Sequence, residues 1–438
     1  MSSPGAAEND VVEICRDLLR IDTSNYGDSS GPGERVAAEY VAASLAEAGL
    51  EPELFESEPG RANVVVRIAG VDRDRPALVV HGHLDVVPAD ASEWQVDPFA
   101  GVERDGCLWG RGAVDMKDMD AMMLAVFRAR AREERPPARD VVLAFFADEE
   151  AGGGLGAGWA VRHRPELFEG ATEAVSEVGG FSVDVAGQRA YLLQVAEKGL
   201  AWLRVVAHGR AGHGSFLNSD NAVTRLAEAV ARIGQHPWPL AMTESTSALL
   251  RGVADLAGLP FDPEDPETVE VLLEALGPAG RFVGTTVRHS SNPTQLAAGY
   301  KANVIPSRAE AVVDMRFVPG LEKEADDVVA QLVGPGVLVE DIVRHRALEA
   351  PIDAPIVGAM TTALLAEDPG ATVLPYMLSG GTDNKHLAEL GIAGYGFAPL
   401  RLPASLDFAS MFHGVDERVP VDALRFGTRV LDRFLDAC

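Results

Sequence analysis

Short β-rich runs separated by helical stretches confine this chain to an α/β fold. Residues 63–68, 77–80 and 141–146 read as strands, and 116–131, between the last two, reads as a long helix. An earlier helix is read over 33–50, with Val36, Tyr40, Val41, Leu45 and Leu50 at helical spacing and Gly49 placed to stop it. This alternation builds a sheet with parallel stretches. Ligands of such sheets gather beyond the carboxyl ends of the strands, where residues 81–85, 148–150 and Glu177 fall.

The chain has 438 residues, 47% of them apolar, enough for two or three domains with their own cores. Composition shifts near 194–198, after which a strand at 201–206 and a helix at 221–233 open a second domain. Residues 259–280, rich in proline and acids around a helical segment at 266–276, read as an excursion within that domain. Strand signals resume at 312–318. After Glu349 come a turn, a helix and short strands between Gly-rich loops. The basic run 128–135 reads as a solvated helix end.

Charge and cysteine content narrow the function. Lys plus Arg number 38 against 66 Asp plus Glu, a net charge of -28, so nucleic acid and anionic membrane are disfavoured as partners. Apolar runs fall far short of the ~18 residues that span a bilayer, and residues 1–11 lack the basic start and apolar core of a targeting signal. Cys15, Cys107 and Cys438 form no CxxC, which excludes a disulfide framework and a four-cysteine zinc site. A reducing cytoplasm is the expected compartment.

Acids and histidines cluster where strands end. In VVHGHLDVVP, an extended backbone would put His83 and Asp85 on one side, the carboxylate accepting from one imidazole nitrogen and leaving the other for a metal. His81 reads as structural. Asp115 follows the Gly-rich turn of WGRGAVDMK and precedes a helix, so an N-cap is the competing reading. Asp148, Glu149 and Glu150 follow the apolar FFA, and three adjacent acids repel unless a cation neutralises them or one takes a proton. Glu177 lies between AVS and VGG, and HGVDERV offers His413, Asp416 and Glu417.

The ordered set HGHLD, GRGAVDMK, ADEEAGG, SEVGG, AGHGS, GYKANVIP, GGTD and HGVDE resembles the M20 dizinc peptidases, from about residue 10 to the C-terminus. That family includes aminoacylases, glutamate carboxypeptidases and desuccinylases. The wording around GYKANVIP and TDNKHLAELGIAGYGFAPL looks most like its carboxypeptidase S branch. The resemblance implies a zinc-peptidase-like catalytic domain with a mixed, mainly parallel central sheet, over 1–197 and 351–438. An inserted α+β lid and dimerisation domain would cover 198–350.

Carried over by motif, His83 and Glu177 would hold one metal, Glu150 and His413 the other, and Asp115 would bridge them, with a cis peptide after it. Two Zn(II) per chain are implied, with Co(II) or Mn(II) as substitutes. Three carboxylates and a bridging hydroxide would neutralise two divalent cations. Glu149 would be the general acid/base, with Asp85 in the catalytic set beside it. His213, in the lid, would stabilise the oxyanion and in the family often reaches into a neighbouring subunit, implying a homodimer. Asn303 and Arg316 would hold the substrate, Arg316 as a fork for a free carboxylate, and Gly380 and Gly381 would let substrate approach.

The implied reaction is hydrolysis of an amide or peptide bond in a small peptide or N-acyl amino acid, releasing an amino acid with a free carboxylate. The alternatives are a dipeptidase of the same family, or a non-catalytic member that only binds a peptide or metabolite. The latter would be expected to have lost a ligand or Glu149, and all six positions are filled. GGGLGAG fails the GxGxxG pattern because Trp159 follows, no GK[ST] occurs, and no GxSxG supports a serine hydrolase.

Overall fold

A computed structural model describes residues 5–28 and 30–438. The centre of its ten-stranded sheet runs Arg61–Ile68, Val141–Phe146, Ala77–His83, Ala171–Ser176, Ala393–Gly396 and Gln188–Glu197. Ala77–His83 is parallel to both of its neighbours, and Ala171–Ser176 is parallel to Ala393–Gly396. Antiparallel pairs flank this parallel centre, so the sheet is mixed, as the family resemblance implies.

The run VVLAFF explains why both faces are covered. Val141, Leu143 and Phe145 pack with helices Ala6–Leu19, Lys117–Arg132 and Val421–Ala437, while Val142, Ala144 and Phe146 pack with helix Ala157–His163. A strand buried on both faces has no polar alternation to display. Its chain direction turns polar only where it leaves the sheet, at Asp148.

Lys198 links the first sheet to a second, antiparallel one ordered Ser290–Ala298, Arg308–Phe317, Gly199–His208 and Val337–His345. In Arg308–Phe317 every second residue is buried, and these residues pack with Leu226, Ala229, Ile233, Ala325 and Val329 of two covering helices. One face of this sheet is therefore helix-covered, in keeping with its alternating pattern.

Three expectations are corrected. The excursion at 259–280 does not build the second core: Val269, Leu272, Leu273 and Leu276 join the core of the first sheet, as do Leu249, Leu250 and Val253 of the preceding helix Glu244–Ala257, which lies against strand Thr372–Leu378. Its apolar stripe fits that sheet, whereas the second sheet's face is already filled by its own two helices. The basic run is not simply solvated either. Arg130 is buried and its guanidinium reaches Asp432 and Asp436 of the C-terminal helix at 2.8 and 2.6 Å. Asp115 caps no helix: the helix begins at Lys117, and the Asp115–Met116 peptide is cis.

Candidate active site

The site forms where Ala77–His83, Val141–Phe146 and Ala171–Ser176 end side by side. His83, last in its strand, is buried, and its Nε2 lies 3.2 Å from Asp115 Oδ1 and 3.6 Å from Glu177 Oε2. His413 Nε2 lies 3.2 Å from Asp115 Oδ2 and 3.1 Å from Glu150 Oε2. Asp115 therefore stands between the two imidazoles, one oxygen toward each.

The electrostatics describe a cluster with more carboxylate than its two imidazoles neutralise. Burial, reinforced by Asp115, pushes Glu150 up to about 8, and burial also raises Glu177. Hydrogen bonding to Asp115 and Glu150 holds His413 up at about 10. Burial works against charge on His83, but Glu177 and Asp115 hold it well above the usual imidazole value. Glu150 Oε1 is buried without a hydrogen-bond partner. Ligand atoms of His83, Asp115 and Glu150 lie within 4.8 Å of one another, as do those of His83, Glu149 and Glu177. Mixed imidazole and carboxylate donors, with one oxygen unsatisfied, fit divalent cations.

Asp85 stands beside His83, whose Nδ1 lies 3.5 Å from its carboxylate and 3.0 Å from its main-chain oxygen. Its carboxylate also accepts from the backbone N–H groups of Glu149 and Glu150 at 3.0 and 3.1 Å, holding the turn that presents both glutamates.

Further residues support the site that spacing alone did not single out. Asn25 donates to Asp85 and Asp148 and accepts from Arg61, which pairs with buried Glu34. Glu417 accepts from Arg111 and from the backbone of Gly112, Val114 and Asp115, fixing the loop that carries Asp115. Its one sequence signal was its place in HGVDERV. Lys385 Nζ lies 3.2 Å from Glu149 Oε1. His81 is buried against Asn384, consistent with a structural part.

The residues expected in the lid stand apart from this cluster, His213 in a small two-stranded pair with Val304–Ile305 and Arg316 in the second sheet. His213 is exposed, with Nδ1 2.8 Å from Ser215 Oγ, and Asn303 is its neighbour through Gly214, whose N–H donates to the Asn303 carbonyl. No hydrogen bond or ion pair joins either to the cluster among the described residues. Arg316 grips Asp314 at 2.7 and 3.1 Å. Gly380 and Gly381 precede Thr382, which Glu197 holds through its N–H and hydroxyl.

Residues 79–437 match the sequence profile described as peptidase family M20/M25/M40. The chain is 28% identical to the N-fatty-acyl-amino acid synthase/hydrolase PM20D1 of Bos taurus, over 86% of this chain and 77% of that protein. It is 27% identical to aminoacylase-1 of Homo sapiens, over 100% and 97%. Among solved structures it resembles the M20 family metallo-carboxypeptidase Sso-CP2 of Sulfolobus solfataricus, with a TM-score of 0.72 and 16% identity over 98% of this chain and 99% of that one. It also resembles a dinuclear metal-binding M20 peptidase of Bacillus subtilis, with a TM-score of 0.63 and 13% identity over 98% of each.

Proposed function

The chain belongs to peptidase family M20/M25/M40, and from that premise we propose that it is a metal-dependent hydrolase releasing an amino acid with a free carboxylate from an N-acyl amino acid or small peptide. The observation that carries this reading is Asp115, with one oxygen toward His83 and the other toward His413. The similarity to aminoacylase-1 and to a fatty-acyl-amino acid hydrolase favours the N-acyl amino acid over the dipeptide. Those relatives do not single out the carboxypeptidase S branch.

We assign His83 and Glu177 to one Zn(II), Glu150 and His413 to a second, and Asp115 to both. Divalent cations held there would supply Lewis acidity toward water and the scissile carbonyl. Glu149 takes the proton of the attacking water and returns it to the leaving amine. Asp85 keeps Glu149 and Glu150 in place through their backbone N–H groups. His213 donates to the oxyanion of the tetrahedral species, and Asn303 and Arg316 hold the substrate, which enters past Gly380 and Gly381.

In sequence, 198–350 is the inserted lid within a catalytic unit of 1–197 and 351–438, its helices at 244–283 lying on the catalytic side. The exposure of His213 favours its reaching a second copy of the chain, so the working form is a homodimer. No helix among the described residues is long and apolar enough to cross a membrane. The acidic charge and unpaired cysteines favour a cytoplasmic enzyme.

The test is a panel of N-acyl amino acids and dipeptides, assayed for amine release with Zn(II) or Co(II) added. Release from N-acyl amino acids that disappears on chelation is the expected result. No release from any member of the panel with metal supplied refutes the reading.

A further inference from the structure

The chain leaves the first sheet for the second at Lys198 and returns along His345, Arg346 and Ala347 to Leu348, which is registered opposite Glu197. The two connections touch: a side chain on Gly199 would meet the backbone nitrogen of Ala347 at 2.8 Å. Buried Lys198 adds a third segment, its Nζ donating at 2.8 Å to each of the Thr285 and Arg288 carbonyls, just ahead of strand Ser290–Ala298. The second sheet is thus seated on the first through one small knot of connections.

Residues 382–388, which carry Lys385, are held from this knot at both ends. Glu197 is buried, and its Oε1 accepts from Gln194 Nε2, Thr382 Oγ1 and Asn384 Nδ2 at 3.0, 2.6 and 3.3 Å. Its Oε2 accepts from the Thr382 N–H at 3.1 Å. An amide in its place would turn its NH2 against at least one of these donors, whichever way it faced. The return connection grips the far end: the Arg346 guanidinium donates to the Ala388 carbonyl, and the His345 and His386 rings meet edge to face with centroids 5.9 Å apart. Between these holds, the Lys385 N–H donates to the Thr382 carbonyl while its Nζ reaches Glu149 at 3.2 Å.

We propose that Glu197 is a positioning residue that couples the seating of the second sheet to the Lys385–Glu149 pair, acting through Thr382 and Asn384. Lys198 fixes the second-sheet side of this coupling and Glu197 the catalytic side, and the two are adjacent in the chain. A shift of the connections therefore carries residues 382–388, and with them the Lys385 ammonium, toward or away from Glu149. The proposal rests on the reading above that Glu149 is the proton carrier.

The experiment is a double-mutant cycle on kcat with an N-acyl amino acid. Glu197→Gln should lower kcat by roughly 10- to 100-fold, the order that a misplacement near 1 Å costs, with KM and bound metal little changed. In a Lys385→Met background the same substitution should change kcat by less than about twofold, because the residue it acts through is gone. Thr382→Val, which deletes the hydroxyl between Glu197 and the Asn384 N–H, should follow the same pattern more weakly. Equal factors in the two backgrounds, or a loss of bound metal, overturn the proposal. A second measurement does not depend on turnover. Glu197→Gln and Lys198→Met should each speed amide hydrogen exchange in peptides from 380–390 and leave helix Ala6–Leu19 unchanged. No change in that segment, or a change in Glu197→Gln alone, also overturns it. If both variants speed exchange but wild type hydrolyses nothing, the hydrolase reading fails while the coupling of the second sheet to Lys385 stands.

Discussion

The ammonium of Lys385 lies 3.2 Å from the carboxylate of Glu149, with their side chains only 9% and 11% exposed. Lys385 is brought there by a loop that Glu197 anchors through Thr382. Burial opposes its charge, but Glu149 and Asp383 more than offset that and hold it up at about 12. The proposed proton carrier is thus oriented by a fixed cation, over and above any metal.

Replacing Lys385 by Met leaves Glu149 as a buried, unpaired acid. Removing one partner of such a pair costs about 3–5 kcal/mol, so unfolding by urea should shift to clearly lower concentration and kcat should fall with metal saturating. Lys385→Arg should restore most of both. Unchanged stability together with unchanged kcat in Lys385→Met would show that the pair is idle.

Glu149 and Glu150 should separate by phenotype. Glu149→Gln should keep its metal while losing ~10²–10⁴-fold in turnover, the size of general acid/base loss. Glu150→Gln should bind less metal, because it removes a ligand oxygen from His413's side of the cluster. Metal analysis beside steady-state kinetics reads both, and the reverse pattern would exchange the two roles.

Lys198 should leave a pH signature on stability. Its folded pKa is about 7, below the ordinary 10.5, because burial disfavours the charged form. Between those values the unfolded chain binds more protons, so this contribution is fully present above pH 10.5 and is lost as pH falls through about 7. The stability of wild type relative to Lys198→Met should therefore rise from pH 7 toward pH 10. A difference flat across that range would contradict the assignment.

His213, exposed and joined to nothing in the acidic cluster, should act on a neighbouring copy. Its removal should cost about 2.7–4 kcal/mol in turnover, the value of one oxyanion donor. Heterodimers of Glu149→Gln and His213→Ala, each nearly inactive alone, should regain activity through the one site that holds both intact residues. Verified heterodimers without recovery would mean that His213 works within its own chain.

The sequence by itself determined what is local. Helical spacing and unbroken apolar runs are properties of neighbouring residues, so VVLAFF declared a strand covered on both faces, and the acids after it marked the strand end where the site forms. His83, Asp115, Glu150, Glu177 and His413 were singled out by short motifs whose order resembles a known family, and the fold brings the five side chains together. Tertiary structure decided what depends on distant segments meeting. Lys385 and Glu149 are 236 residues apart, and no periodicity encodes their contact. Asp85 also accepts from the backbone N–H groups of Glu149 and Glu150, 64 and 65 residues away, contacts the HxD spacing does not reveal. The excursion docked on the first sheet rather than the second because packing depends on which apolar face is still uncovered, and that is known only once every other helix has been placed.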